Sequence, residues 1–213
     1  MSDVVLLSGG VDSLVCAELA HRAGTLAACV FVDYGHPSAQ QESYHGFGFC
    51  RDRGIRLVVR HSFHLDLGQM ATGDGPQVVP HRNLMLLGHA ANLAASIGAT
   101  GIVIGANADD QADYEDCRRP FFDAVELATG LVISTPLLGL AKPSIVRMAR
   151  DLDLTARDAW SCYGAGLQPC GVCASCSGAV EAWSLTDGVY RTGCCGRTGR
   201  ELEANGHDEG CNR

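Results

Sequence analysis

Two stretches of the chain carry residue types whose spacing implies chemistry. The first, Ser8-Gly9-Gly10-Val11-Asp12-Ser13, directly follows the apolar run Val4-Val5-Leu6-Leu7. Paired glycines let a backbone turn sharply, so that successive N–H groups and the start of the next helix face an anion, with the Ser8 and Ser13 hydroxyls as further donors. Such a turn suits pyrophosphate. It is not a Walker loop, since no Gly-Lys-Ser/Thr follows, nor the Gly-x-Gly-x-x-Gly of dinucleotide folds. Asp12 reads either as a helix cap or as an anchor for the loop or for a magnesium ion. The second stretch gathers Cys162, Cys170, Cys173 and Cys176 within fifteen residues. Closely spaced Cys-x-x-Cys elements make thiolates converge, and four of them suit a tetrahedral zinc with no open position, hence a structural one. A redox pair leaves two of the four unexplained, whereas an iron–sulfur cluster takes the same four ligands and stays open.

These residues need a scaffold, and the first 150 residues supply one. Short β-branched runs alternate with helical patterns. Strands are expected over 4–7, 26–33, 55–60, 101–105 and 131–135, and helices over 13–22, 38–53, 83–97, 120–129 and 142–152. Repeated strand–helix–strand units imply a doubly wound parallel sheet covered on both faces, with ligands beyond the carboxyl ends of the strands. The polar loops after the first, second and fourth strands are therefore where chemistry belongs. From Ala159 the composition turns to cysteine, glycine and small residues. This reads as an appendage (159–186) ordered by metal and separate from the sheet domain's core (1–158), followed by a polar tail (187–213) expected to be partly disordered.

Bulk properties narrow the class. The 213-residue chain has a net charge of −8, which argues against a broad nucleic-acid or anionic-lipid footprint. No apolar run approaches a membrane span and the first residues lack a signal-peptide pattern, so a cytoplasmic location is expected. Eleven cysteines, an odd count without an export signal, favour metal over a disulfide scaffold. The eight histidines form no ligand pattern; His36 and His81, inside the motif loops, are the ones to watch.

The Ser8–Ser13 loop resembles the PP-loop of the ATP-pyrophosphatases, and within them the chain resembles the 7-cyano-7-deazaguanine synthase family up to about Cys176. Asp33-Tyr34-Gly35 with Glu42 beyond it, Val79-Pro80-His81-Arg82-Asn83, Ile104 to Asp110 followed by Tyr114 to Arg118, Pro136-Leu137 with Lys142, and Trp160-Ser161-Cys162-Tyr163 with the later cysteines are similar to its segments in order. His81 departs from the small residue usual there, and Ser177-Gly178-Ala179-Val180-Glu181 stands where basic residues are usual.

The resemblance implies a five-stranded sheet of the adenine nucleotide alpha hydrolase (HUP) type. It implies ATP on Leu7, Ser8, Gly9, Gly10, Val11, Asp12, Ser13, Leu14, Asp33 and Tyr34, with catalytic roles for Asp12, Ser13, Arg82 and Lys142. Substrate contacts fall to Arg82, Asn83, Asn107, Asp110, Tyr114, Asp116 and Arg118, and structural zinc to the four cysteines, with magnesium accompanying ATP. The implied reaction turns 7-carboxy-7-deazaguanine and ammonia into 7-cyano-7-deazaguanine in queuosine biosynthesis, through an acyl adenylate and an amide. Partners would be small molecules, with neither nucleic acid nor membrane, in a possible homodimer. Two other readings remain open at this point: a paralogue adenylating another acid to form an amide or a different conjugate, in a modified-nucleobase or defence pathway, and a zinc-bearing nucleotide-binding protein without turnover.

Overall fold

The computed structural model describes residues 1–62, 79–187, 191–192 and 197–198. Five strands, β1 (Asp3–Leu6), β2 (Leu26–Asp33), β3 (Leu57–His61), β4 (Gly101–Val103) and β5 (Val132–Ser134), form one sheet in the order β3-β2-β1-β4-β5, every pair parallel. The helices between them are α1 (Val11–Arg22), α2 (Ala39–Arg53), α3 (Arg82–Ile97), α4 (Ala108–Asp113) and α5 (Arg119–Thr129), and α6 (Lys142–Asp151) and α7 (Ala174–Asp187) follow β5. The expected doubly wound sheet is thus observed. The α4 helix and α7 go beyond the expected elements.

Alternation along the strands divides the core in two, because successive side chains leave opposite faces of a sheet. Val5, Leu7, Cys29 and Val103 pack against Leu14 and Val15 of α1, Phe49 of α2 and Ile145 and Val146 of α6. Val4, Leu6, Val30 and Ile102 pack on the other face against Leu87 and Leu93 of α3 and Phe122 of α5. Burial on both faces explains why these strands read as continuous apolar runs.

A C-terminal appendage was expected to be ordered by metal rather than by apolar burial, and α7 shows burial as well. Ala179, Ala182 and Trp183 lie at helical spacing on one face of α7 and join the core cluster of α1 and α6, with Trp183 only 2% exposed. Small residues let α7 approach α6 closely, so burial and the cysteine cluster share the work of ordering it. Beyond Asp187, β6 (Arg191–Thr192) and β7 (Arg197–Thr198) pair antiparallel. The remainder of the tail expected to be partly disordered lies outside the described residues. Among the described residues, no helix is long and apolar enough to cross a membrane.

Trp183→Ala should cost about 3–5 kcal/mol, the range for deleting a buried aromatic side chain, and should weaken the whole domain in one transition. Denaturant unfolding followed by circular dichroism and tryptophan fluorescence checks this. An early, separate loss of α7 with an unchanged main transition would contradict a shared core.

Candidate nucleotide site and metal centre

The chain runs from β1 outward to β3, then crosses back to β4, so strand order reverses between β1 and β4. A cleft of about 320 Å³ opens there, at the carboxyl ends of β1, β2 and β4. Such crevices are where open parallel sheets bind ligands. Leu6, Leu7, Val30, Val32 and Ile104 give it an apolar floor, while Ser8, Asp12, Ser13, Arg82, Asp110 and Lys142 bring polar groups to it.

The turn between β1 and α1 is built by close contacts. Gly9 has φ 76°, and a Cβ there would collide with the backbone carbonyl of Glu42. A side chain is excluded on both counts. The buried Ser13 hydroxyl donates to the Gly10 carbonyl at 2.9 Å and accepts from the Ser8 amide at 3.1 Å and the Ser8 hydroxyl at 3.2 Å. The Trp160 amide donates to the Gly9 carbonyl at 2.9 Å. A Cβ on Gly105 would lie 3.1 Å from the Asp12 backbone carbon, so the end of β4 rests directly on the start of α1.

Asp12 is an anchor rather than a cap: Gly10 is the N-cap of α1 and caps it without a side-chain bond. Its carboxylate receives Lys142 Nζ at 2.8 and 2.6 Å and Asn107 Nδ2 at 3.0 Å. Asn107 is buried and also caps α4, its Oδ1 accepting from the Asp109 and Asp110 amides while Asp110 accepts from the Asn107 amide. Burial pushes the Asp110 carboxyl up and the nearby Asp12 charge adds to this, against the Asn107 amide, Lys142 and Arg82. Burial likewise pushes the Tyr34 hydroxyl up, opposed by its hydrogen bond with Arg82. Burial also works against the Arg82 charge, yet Tyr34 and Asp116 outweigh it and keep the guanidinium firmly protonated.

The structure divides the residues that the sequence singles out. Leu7, Ser8, Gly10, Val11, Asp12, Ser13, Tyr34, Arg82, Asn83, Asp110, Tyr114 and Lys142 line the cleft together. Gly9, Leu14, Asp33, Asn107 and Asp116 stand outside its lining. Asp116 supports Asn83, accepting from its amide at 3.2 Å and from Nδ2 at 3.0 Å through the backbone carbonyl. Arg118 is exposed and turns to the Gln111 carbonyl at 2.9 Å, away from the cleft. Residues absent from the sequence-based site set also line it: Glu42, Trp160, Ser161, Tyr163 and Ser175. Their signal was adjacency to motifs, with Glu42 beyond Asp33-Tyr34-Gly35 and the others in the cysteine region.

The sulfurs of Cys162, Cys170, Cys173 and Cys176 all lie within 4.8 Å of one another. Zinc–sulfur bonds of about 2.3 Å in a tetrahedron set sulfurs about 3.8 Å apart, so the donor set and its spacing fit one zinc ion. Backbone amides aim at the sulfurs: Gly164 and Cys170 at Cys162 Sγ, both 3.3 Å, Cys173 at Cys170 Sγ and Cys176 at Cys173 Sγ, both 3.4 Å. Burial opposes the Cys170 thiolate, but the Val172 and Cys173 amides outweigh it and bring the thiol down to about 7. Trp160 joins this knot to the cleft, donating Nε1 to the Cys162 carbonyl at 2.7 Å while its own amide holds Gly9.

An open parallel sheet with a serine–glycine anion turn at its reversal point defines a nucleotide-binding enzyme fold of the PP-loop, HUP type. Solved structures agree on the fold: NMN synthetase from Francisella tularensis superposes with a TM-score of 0.54 at 17% identity, covering 90% of this chain and 79% of that one. The U34-tRNA thiolase NcsA from Methanococcus maripaludis, with its [4Fe-4S] cluster, gives 0.51 at 17% identity over 88% and 65%. The chain belongs to the family described as queuosine biosynthesis protein QueC, whose model matches residues 2–72 and 58–186. The 7-cyano-7-deazaguanine synthase of Chlorobium phaeovibrioides is 35% identical over 210 residues, 87% of this chain and 92% of that protein. The enzyme of the same name from Chlorobaculum tepidum is 36% identical over 209 residues, 86% and 92%. The family read from the motifs is borne out.

Protein purified without added metal should carry one zinc per chain, with four sulfur neighbours at about 2.3 Å by X-ray absorption. Cys176→Ser should lower metal content and thermal stability together, because metal binding to such sites is coupled to folding. An iron chromophore, or full stability with no metal, would contradict the assignment.

Proposed function

We propose that the chain is an ATP-dependent ligase that converts 7-carboxy-7-deazaguanine and ammonia to 7-cyano-7-deazaguanine, through an acyl adenylate and an amide, in queuosine biosynthesis. Family membership and relatives of that name along almost their whole length support it. The observation that carries it is the braced serine–glycine turn beside Asp12, Lys142 and Arg82 in one cleft. The turn's amides, the Ser8 hydroxyl and the start of α1 are suited to the pyrophosphate leaving group. Lys142 supplies a mobile positive charge, since phosphate can take it from Asp12. Magnesium arriving with ATP would neutralise phosphate charge, and Asp12 is the carboxylate to hold it. Arg82 and Asn83 would hold the substrate carboxylate by charge-assisted bonds, and Asp110 the donor edge of the base.

No side-chain nucleophile is needed. Cys117 reaches the cleft, but burial, with Asp110 and Asp116, pushes its thiol up to about 11, which removes it as one. Positioning and charge stabilisation carry the rate. All reactants in this reading are small molecules, ammonia is the nitrogen source, and the net charge of −8 supports the absence of a nucleic-acid partner. A homodimer is part of the reading, and sedimentation velocity tests it.

With ATP, magnesium, ammonium and the carboxy-deazaguanine, the product mass should be that of the nitrile, with two ATP consumed per product. One ATP with the amide as end product would favour the amide-forming paralogue, and indifference to deazaguanines would remove both. Asp12→Ala, which removes the anchor of Lys142, and Ser13→Ala, which releases the turn's donors from their set positions, should each lower pyrophosphate release by about 100-fold or more, the scale for losing preorganised transition-state donors, with the circular dichroism spectrum retained. Turnover like the unmodified protein's would sink the role given to the turn.

A further inference from the structure

Glu42 stands in the wall of the cleft without a part in the phosphate or carboxylate contacts above. Its side chain is 21% exposed, and both oxygens are held from behind: Oε1 accepts from Ser38 Oγ at 2.7 Å, and Oε2 pairs with His36 Nε2 at 3.0 Å. Its backbone carbonyl presses on Gly9, which sets the residue against the phosphate turn. His36 is 5% exposed and stacks on Tyr34 with centroids 4.1 Å apart and 23° between planes. Its Nδ1 is buried with no partner among the described residues.

That orphaned nitrogen fixes the histidine's role. A proton on Nδ1 would be a buried donor without an acceptor and would leave two lone pairs facing each other between Nε2 and Oε2. A proton therefore belongs on Nε2, and His36 is the donor to Glu42. Glu42 is thus a carboxylate held by a serine hydroxyl and an imidazole N–H, with no lysine or arginine paired to it among the described residues. The cations of the cleft are engaged elsewhere, Lys142 on Asp12 and Arg82 on Tyr34. Such a group attracts a cation brought by the reaction. The acid and the triphosphate are anions, and magnesium travels on the phosphates toward Asp12, so the reactant of matching sign left for Glu42 is ammonium.

We propose that Glu42 binds the incoming ammonium and takes its proton, with His36 as the residue that positions it. This rests on the ligase reading above. Ammonium has no lone pair to attack with, and in neutral solution it far outweighs ammonia. One proton passes from ammonium to the Glu42 carboxylate. The freed nitrogen lone pair forms a C–N bond to the acyl carbon, and the C–O bond to AMP breaks with its electrons on the phosphate oxygen. The adduct nitrogen gives its surplus proton to that phosphate, and Glu42 returns its own to solvent when the product leaves. A positioned carboxylate suits general base work in the cleft, and it needs no relay through His36.

The test separates the two half-reactions. Acid-dependent exchange of labelled pyrophosphate into ATP, without ammonium, reads adenylation alone. In Glu42→Gln, kcat/KM for ammonium should fall by about 100-fold while exchange falls by less than about threefold, since the lost contact serves only the amine step. Hydroxylamine is already neutral in neutral solution, so as the nucleophile it should lose less than about tenfold in the same variant. His36→Phe keeps the ring on Tyr34 but removes the donor, and should shift the ammonium-to-hydroxylamine ratio in the same direction. His36→Gln, which returns an N–H to Glu42, should restore part of it. Equal losses for both nucleophiles, loss of exchange together with turnover, or unchanged ammonium kinetics would each overturn the proposal. An unmodified protein that shows no acid-dependent exchange would instead fail the ligase reading, and this proposal would fall with it.

Discussion

Everything in the cleft depends on how closely the backbone is packed at the turn after β1. Gly9 meets the carbonyl of Glu42, Gly105 rests on Asp12, and the Trp160 amide closes on the Gly9 carbonyl. Three separate segments, α2, the end of β4 and the approach to the cysteine knot, therefore take their positions from one turn that tolerates no side chain at residue 9. Hydroxyls complete it: Ser13 uses both its donor and its acceptor capacity on Gly10 and Ser8, which holds the amides in place before any ligand arrives. A site organised in advance loses less on binding and has less to rearrange during reaction.

The charges around that turn are paired before a ligand enters. Lys142 sits on Asp12, Asn107 holds the same carboxylate, and Arg82 is hydrogen-bonded to Tyr34. Arg82 and Lys142 have to exchange protein partners for ligand ones, so the net gain from each is smaller than its Coulomb attraction in isolation. Glu42 differs, since Ser38 and His36 hold it from behind rather than a lysine or arginine that a ligand would have to displace. The cysteine knot belongs to the same assembly. Cys162 is two residues from Trp160, and α7, which begins just after Cys173, reaches into the core beside α1. Ordering the metal loop thereby shapes the cleft wall that Trp160, Ser161, Tyr163 and Ser175 form.

Much of this was legible in the residues. Val4 to Leu7 and Leu26 to Asp33 read as strands because they are buried on both faces, and the glycine–serine turn announces an anion site by its chemistry. The four cysteines announce their convergence by spacing. Side-chain direction was harder. Arg82 and Arg118 look equivalent as cations on loops at strand ends, but Arg118 turns to the Gln111 carbonyl while Arg82 faces the cleft. Asn107 reads as a ligand contact, and its buried amide is consumed by Asp12 and the α4 cap. The α7 helix was hidden because its apolar face, Ala179, Ala182 and Trp183, is mostly small and interrupted by Gly178 and Glu181. Glu42 is named only as part of a motif for a different reason: a carboxylate on a helix is ordinarily a solvated charge, and only the fold sets it beside Gly9.

The central claim is that the turn directs reaction at the α-phosphate of ATP, so that the acid departs as an acyl adenylate. Phosphorus NMR of the protein mixed with ATP, magnesium and 7-carboxy-7-deazaguanine, with ammonium left out, tests it most directly. The account predicts pyrophosphate and an enzyme-held adenylate resonance, with no ADP. ADP and inorganic phosphate as the products would contradict it.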